Sequence, residues 1–188
     1  MRNLGVVALL AAGCVAALVG MSSPDVKVEI KGVHLCCGGC NGAATGALKG
    51  AGAKEATADQ AGGTITFTAA NEKNAQKALE AFAAAGFHGD TGNKLLAVPE
   101  NSGANPTPNA KNPKAVTVTT ITLKGAHNCC GGCTKGIKAA LMKIDGYESD
   151  DLKDKAPSFT IKGKLDPINV IKCLNEGGYH AKVESVNK

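Results

Sequence analysis

The chain has 188 residues, a formal net charge of +5, 3% aromatic residues and no tryptophan. Its core must therefore be built from Leu, Ile, Val and Ala, which suits one ordinary or two small α/β units and excludes a large ring-packed enzyme core. The lysines are scattered, so no basic patch marks nucleic acid as a partner.

In chain order, residues 1–23 read as targeting sequence. Met1-Arg2-Asn3 supplies one positive charge, LGVVALLAAGCVAALVG (4–20) is an unbroken run of apolar and small residues, and SSPD ends it. This is the layout of a secretory signal peptide, with cleavage near Ser22 or Ser23. The run also reaches the lower limit for a membrane anchor, roughly 17 residues. LAAGC (10–14), in turn, approximates a lipobox that would acylate Cys14. All three readings place the mature chain outside the cytoplasm, periplasmic or secreted, with a membrane touched only through this segment.

Residues 24–92 form a first unit. VKVEIKGV (26–33) alternates as a half-buried strand does, and HLCCGGC (34–40) follows. A helix starts near the last cysteine, but NGAATGALKGAG is glycine-rich and should be weak. Two strands (54–59, 64–68) and a helix (71–86) come next, the helix capped by Asn71 and ended by Gly86. A last strand starts at Phe87. Residues 93–115 form a linker, flexible or partly polyproline from Pro99 onward, which lets the units move independently.

The second unit, 116–188, repeats this order. VTVTTITLKG (116–125) is a strand, HNCCGGC (127–133) the loop, and Ile137, Ala140, Leu141 and Ile144 mark the buried face of a helix. Strands at 147–153 and 158–162 precede a helix at 166–178 with Asp166 as N-cap and Pro167 at N1. Tyr179 opens the last strand. VEIKGVHLCCGGC (28–40) aligns without gaps to ITLKGAHNCCGGC (121–133), and AGFHGD (85–90) to GGYHAK (177–182). The four histidines thus pair as His34/His127 and His88/His180, and only Cys14 and Cys173 lack a counterpart. The chain is a tandem duplication of a βαββαβ unit. Its fold class is α+β: two ferredoxin-like domains, each an antiparallel four-stranded sheet with two helices.

The chemistry was duplicated too. A Cys-x-x-Cys pair at a strand-to-helix junction meets a helix N-terminus, whose partial positive charge favours thiolate. Cys37 with Cys40, and Cys130 with Cys133, can converge on one soft ion. Cys36 and Cys129 add a third sulfur to each loop, and in an extended segment His34 projects to the same side as Cys36. Such donors select Cu(I), Zn(II) and heavier relatives over hard ions. His34 and His127 are either ligands or exposed loop histidines. His88 and His180 are strand residues beside an aromatic or further metal contacts. Cys173, between apolar neighbours, reads as a small core residue. The competing reading of the loop cysteines is disulfides, within a loop or between units, although closing a four-residue loop stabilises little.

A strand ending in glycine, a Cys-x-x-Cys loop, the βαββαβ order and AGF or GGY near the end resemble the heavy-metal-associated domain. That family includes copper chaperones, modules of metal-pumping ATPases and the periplasmic mercury-binding protein. The resemblance implies Cys37/Cys40 and Cys130/Cys133 as metal ligands, with Phe87 and Tyr179 covering the site. The family pattern is Gly-Met-x-Cys-x-x-Cys. Here Leu35 or Asn128 replaces Met, Gly32 and Gly125 lie two residues further upstream, and Cys36 and Cys129 are extra. These departures imply three or four ligands per ion in place of two. The expected function is extracytoplasmic binding of Cu(I), Zn(II) or Hg(II), Cu(I) or Zn(II) first, one ion per domain or one clamped between the copies. The ion would be handed to a metal-transporting or metal-accepting protein, or scavenged. An enzyme is not expected: residues 26–98 hold no proline for the cis-proline of a thiol–disulfide oxidoreductase, and no catalytic set is visible. A thiol–disulfide redox protein and a disulfide-stapled interaction module are the alternatives.

Overall fold

The computed structural model describes residues 25–104 and 117–188. The leader with Cys14, residues 105–115 of the linker and Val116 at the start of the second unit lie outside the described residues. Among those described, no helix is long and apolar enough to cross a membrane.

The first unit runs β1 (Val26–Ile30), α1 (Gly38–Gly50), β2 (Lys54–Asp59), β3 (Thr64–Ala69) and α2 (Glu72–Ala84). Its antiparallel sheet has the order β1-β3-β2, with Val28 opposite Phe67 and Ile30 opposite Ile65. Alternation puts these four side chains on one face, and all are buried. Asn71 caps α2 by accepting from the Asn74 N–H at 2.9 Å. The glycine-rich α1 still spans 13 residues. Gly42, Gly46 and Gly50 share its exposed face while Cys40, Ala44 and Leu48 are buried, so packing outweighs weak propensity.

The second unit runs β4 (Val118–Lys124), α3 (Gly131–Leu141), β5 (Tyr147–Asp150), β6 (Ser158–Leu165), α4 (Pro167–Glu176) and β7 (Lys182–Asn187). Its sheet order is β5-β6-β4-β7, all antiparallel, and the helical stripe Ile137, Ala140, Leu141 and Ile144 is buried as the spacing required. Both units are ferredoxin-like, with two helices each.

The expected four-stranded sheet is complete only in the second unit. After Phe87 the first unit's chain meets the end of β1 through the single bridge Lys31–Asp90. Turn chemistry stops it there: Asp90 Oδ1 accepts from the Gly92 N–H at 2.8 Å, and Asn93 Oδ1 from the Leu95 N–H at 2.9 Å. Two successive Asx turns thus curl the chain where the second unit continues into the strand KVESVN.

The start of the linker is also held. Leu96 and Val98 are buried, Gln76 donates to the Ala97 carbonyl at 3.1 Å, and the Val183 N–H donates to the Ser102 carbonyl at 2.7 Å. Residues 96–102 therefore cross from α2 to the edge of the second unit, whereas composition alone predicts flexibility from Pro99 onward. The apolar pair Leu96 and Val98, two apart, supplies the anchor that the proline and asparagine content masks.

Candidate metal centre

Each CCGGC loop ends on a helix. Cys37 and Cys130 are the N-cap residues of α1 and α3, in extended backbone (φ −160° and −159°), and neither side chain closes the cap. Cys40 and Cys133 sit one turn further in and are fully buried. In the second unit Asn128 fixes the loop by donating to the Lys153 carbonyl and accepting from the Thr134 hydroxyl, both at 2.8 Å. In the first, Leu35 does so by burial.

The two loops meet. Cys36 Sγ lies 3.5 Å from Cys40, 3.6 Å from Cys130 and 3.6 Å from Cys133. Cys37 lies 3.6 Å from Cys40 and 4.0 Å from both Cys129 and Cys130. Cys40 is 3.7 Å from Cys129 and 3.6 Å from Cys133, and Cys129 is 3.7 Å from Cys133. All are free thiols. Metal–sulfur bonds of about 2.3 Å separate two sulfurs on one ion by roughly 3.8 Å in a tetrahedral site and 4.0 Å in a trigonal one. The observed separations, 3.5–4.0 Å, lie at or slightly below that range, as metal-free thiols in contact do, and far exceed the bond of a disulfide, about 2.05 Å.

The environment divides the thiols. Burial pushes the Cys36 and Cys129 thiols up, and hydrogen bonds among the neighbouring thiols add to it. Cys130 is pulled the other way, to about 6, by the Cys133 N–H, the Cys36 thiol and the Gly132 N–H at the start of α3.

The histidines separate into two classes. His34 and His127 stand beside the thiols: His127 groups with Cys40, Cys129 and Cys133, and His34 with Cys36 and Cys133. Their buried Nε2 atoms, like the Nδ1 atoms of His88 and His180, have no hydrogen-bond partner among the described residues. His88 and His180 belong to no such group. Their rings stack on each other at 6.0 Å, and His180 Nε2 lies 2.9 Å from Asn101 Oδ1. Phe87 and Tyr179, expected to cover the motif, each lie against the loop histidine of the other unit. Phe87 stacks on His127 at 4.1 Å and Tyr179 on His34 at 4.6 Å, while the Tyr179 hydroxyl donates to the Cys133 carbonyl at 3.0 Å.

Burial holds His180 down to about 4, with His88 and Lys182 adding to it and Glu100 opposing it. The folded state therefore binds fewer protons than an unfolded chain whose histidine titrates at 6.5. Stability is full above the unfolded value and falls with pH toward the folded one, by up to about 3 kcal/mol. Urea unfolding of the reduced, metal-free protein at pH 7 and pH 4.5 measures this, and H180Q is expected to flatten the difference. An unchanged pH dependence in H180Q would assign it elsewhere.

Sequence reasoning missed the glycines that let the units approach. A Cβ on Gly86 would stand 2.3 Å from both the Gly125 carbonyl oxygen and the His127 nitrogen, and one on Gly178 2.3 Å from the His34 nitrogen. The Gly86 carbonyl accepts from the His127 and His180 N–H groups at 3.1 and 3.0 Å, and the Gly178 carbonyl from His88 at 3.0 Å. The available signal was their equivalence in AGFH and GGYH, each directly before an aromatic.

No protein-family model matches the chain. Heavy metal-associated isoprenylated plant protein 32 of Arabidopsis thaliana is 33% identical over 54 residues, 29% of this chain and 11% of that protein. Heavy metal-associated isoprenylated plant protein 36 of the same plant is 32% identical over 71 residues, 38% of this chain and 20% of that protein. The chain thus spans a fifth or less of the length of these curated relatives. Among solved structures, oxidized MerP of Ralstonia metallidurans aligns at 22% identity and TM-score 0.33, over 37% of this chain and 100% of that one. The N-terminal soluble domains of Bacillus subtilis CopA align at 16% identity and TM-score 0.30, over 87% and 97%. The chain is similar to heavy-metal-associated proteins, as its motifs imply.

Proposed function

We propose that this chain is an extracytoplasmic carrier or scavenger of soft metal ions, Cu(I), Zn(II) or Hg(II), in which both CCGGC loops serve one centre. The observation that carries this reading is the meeting of six thiols from two loops at 3.5–4.0 Å. Thiolate donors prefer soft ions, and the similarity to heavy-metal-associated proteins points the same way. Cys36, Cys37, Cys129 and Cys130 are half-buried whereas Cys40 and Cys133 are sealed. An ion would therefore enter at the rim thiols and be passed inward by ligand exchange. Release to the thiols of a metal-transporting or metal-accepting partner would run the same steps backward, with no chemistry on a substrate.

The reduced full chain, handled without oxygen, is expected to bind Cu(I), Zn(II) and Hg(II) with retention against moderate chelators, and to be inactive in insulin reduction. The redox alternative rests on Cys37 and Cys40, 3.6 Å apart at a helix start. Thiols that close quantitatively to disulfides, bind no metal and reduce insulin would establish it instead.

A further inference from the structure

The sulfur positions define more than a mononuclear site. Let Cys36 stand opposite Cys129, Cys37 opposite Cys133, and Cys40 opposite Cys130. Every S···S separation of 4.0 Å or less is then an edge of an octahedron, and none joins opposite corners. Triangular faces close within it. Cys36–Cys40–Cys133 has sides of 3.5, 3.6 and 3.6 Å, and Cys37–Cys40–Cys129 has sides of 3.6, 3.7 and 4.0 Å. Cys36, Cys37 and Cys130 lie within 4.8 Å of one another. The remaining alternate face, Cys129–Cys130–Cys133, has its Cys129–Cys133 side at 3.7 Å. Each sulfur belongs to two of these four faces.

A tetrahedral ion needs four mutually adjacent donors. The short separations join no four of the loop thiols in that way, and the four-donor group among the described residues adds His127 to Cys40, Cys129 and Cys133. Three-sulfur faces suit a monovalent, soft, three-coordinate ion, and thiolates shared between faces suit bridging. We propose that the loops assemble a single polynuclear Cu(I)–thiolate cluster, with four Cu(I) ions on alternate faces and every loop cysteine bridging two of them. This rests on the metal-binding reading above and replaces one ion per domain by one cluster per chain. On loading, each loop sulfur that still carries a proton loses it to buffer as its S–H bond breaks, and metal–sulfur bonds form to the six resulting thiolates. Six thiolates and four Cu(I) leave a net charge of −2, set against the N-termini of α1 and α3.

The test uses the full chain carrying C14S and C173S, so that only the loop thiols remain. It is titrated anaerobically with Cu(I) and followed by native mass spectrometry and X-ray absorption. The expected result is a plateau at four Cu(I) per chain, with half-titrated samples holding mainly empty and four-ion species. Absorption should show three sulfurs per copper and Cu–Cu scattering. A plateau at one or two tightly held ions without Cu–Cu scattering overturns the cluster and leaves the metal-binding reading standing. No retained copper, with zinc and mercury also lost in parallel titrations of the same protein, overturns both.

Discussion

Replacing Cys40 by serine is expected to empty the shared centre rather than half of it. Cys40 lies within 3.5–3.7 Å of Cys36, Cys37, Cys129 and Cys133, two of which belong to the other loop. A serine hydroxyl stays protonated and is a hard donor, so the faces that meet at this corner lose a bridging thiolate together. Changes that merely touch a ligand's hydrogen-bond partner cost 10–100-fold in metal affinity, so removal of a shared ligand should cost at least about 100-fold in Cu(I) affinity. Competition against a Cu(I) chelator of known affinity reads this out, with circular dichroism confirming that C40S keeps its fold. Independent sites predict another outcome, in which the second loop keeps Cys129, Cys130 and Cys133 and holds its ion with parental affinity. Observing that residual ion would sink the shared centre.

Much of this architecture was legible in the sequence because a duplicated chain reports its own equivalences. The strand–loop–helix order, the caps at Asn71 and Asp166, and the buried stripe from Ile137 to Ile144 all follow from local periodicity and end chemistry. The cysteines stood out as candidate donors because their spacing and position at a helix start are local as well. The meeting of the two loops was legible only as one of two options, an ion clamped between the copies, and nothing local chose it over one ion per domain. It depends on the surfaces that the two units turn to each other, and neither surface has a sequence period. Phe87 and Tyr179 illustrate the difference: each was expected to cover a motif, but each stacks on the histidine of the other unit. The same holds for His88 and His180, whose equivalence was plain while their mutual stacking, away from the thiols, was not. The shortened sheet of the first unit had a local cause, the Asx turns at Asp90 and Asn93, hidden by an alignment that paired the units as equals.

Gly178→Ala is expected to weaken metal binding without touching a ligand, and Gly52→Ala to leave it intact. Both glycines have positive φ, +83° and +94°, so alanine costs each position about 1–2 kcal/mol of local strain. They differ in what the new Cβ meets. At Gly52 there is nothing within 4 Å, whereas at Gly178 it would stand 2.3 Å from the His34 nitrogen and 2.6 Å from the Gly32 carbonyl oxygen. Those atoms belong to the first unit's backbone and cannot swing aside as a side-chain tip would. The second unit must back away, carrying Tyr179 off His34 and Cys129, Cys130 and Cys133 off Cys36 and Cys40. Each loop then binds alone and loses the gain from holding both at high effective concentration, on the order of 100-fold in affinity. Because the strain is matched, a fall in thermal stability common to both variants reports the turn, and a fall in Cu(I) affinity confined to Gly178→Ala reports the contact between units. Equal affinities in the two variants would mean that each loop holds its metal unaided.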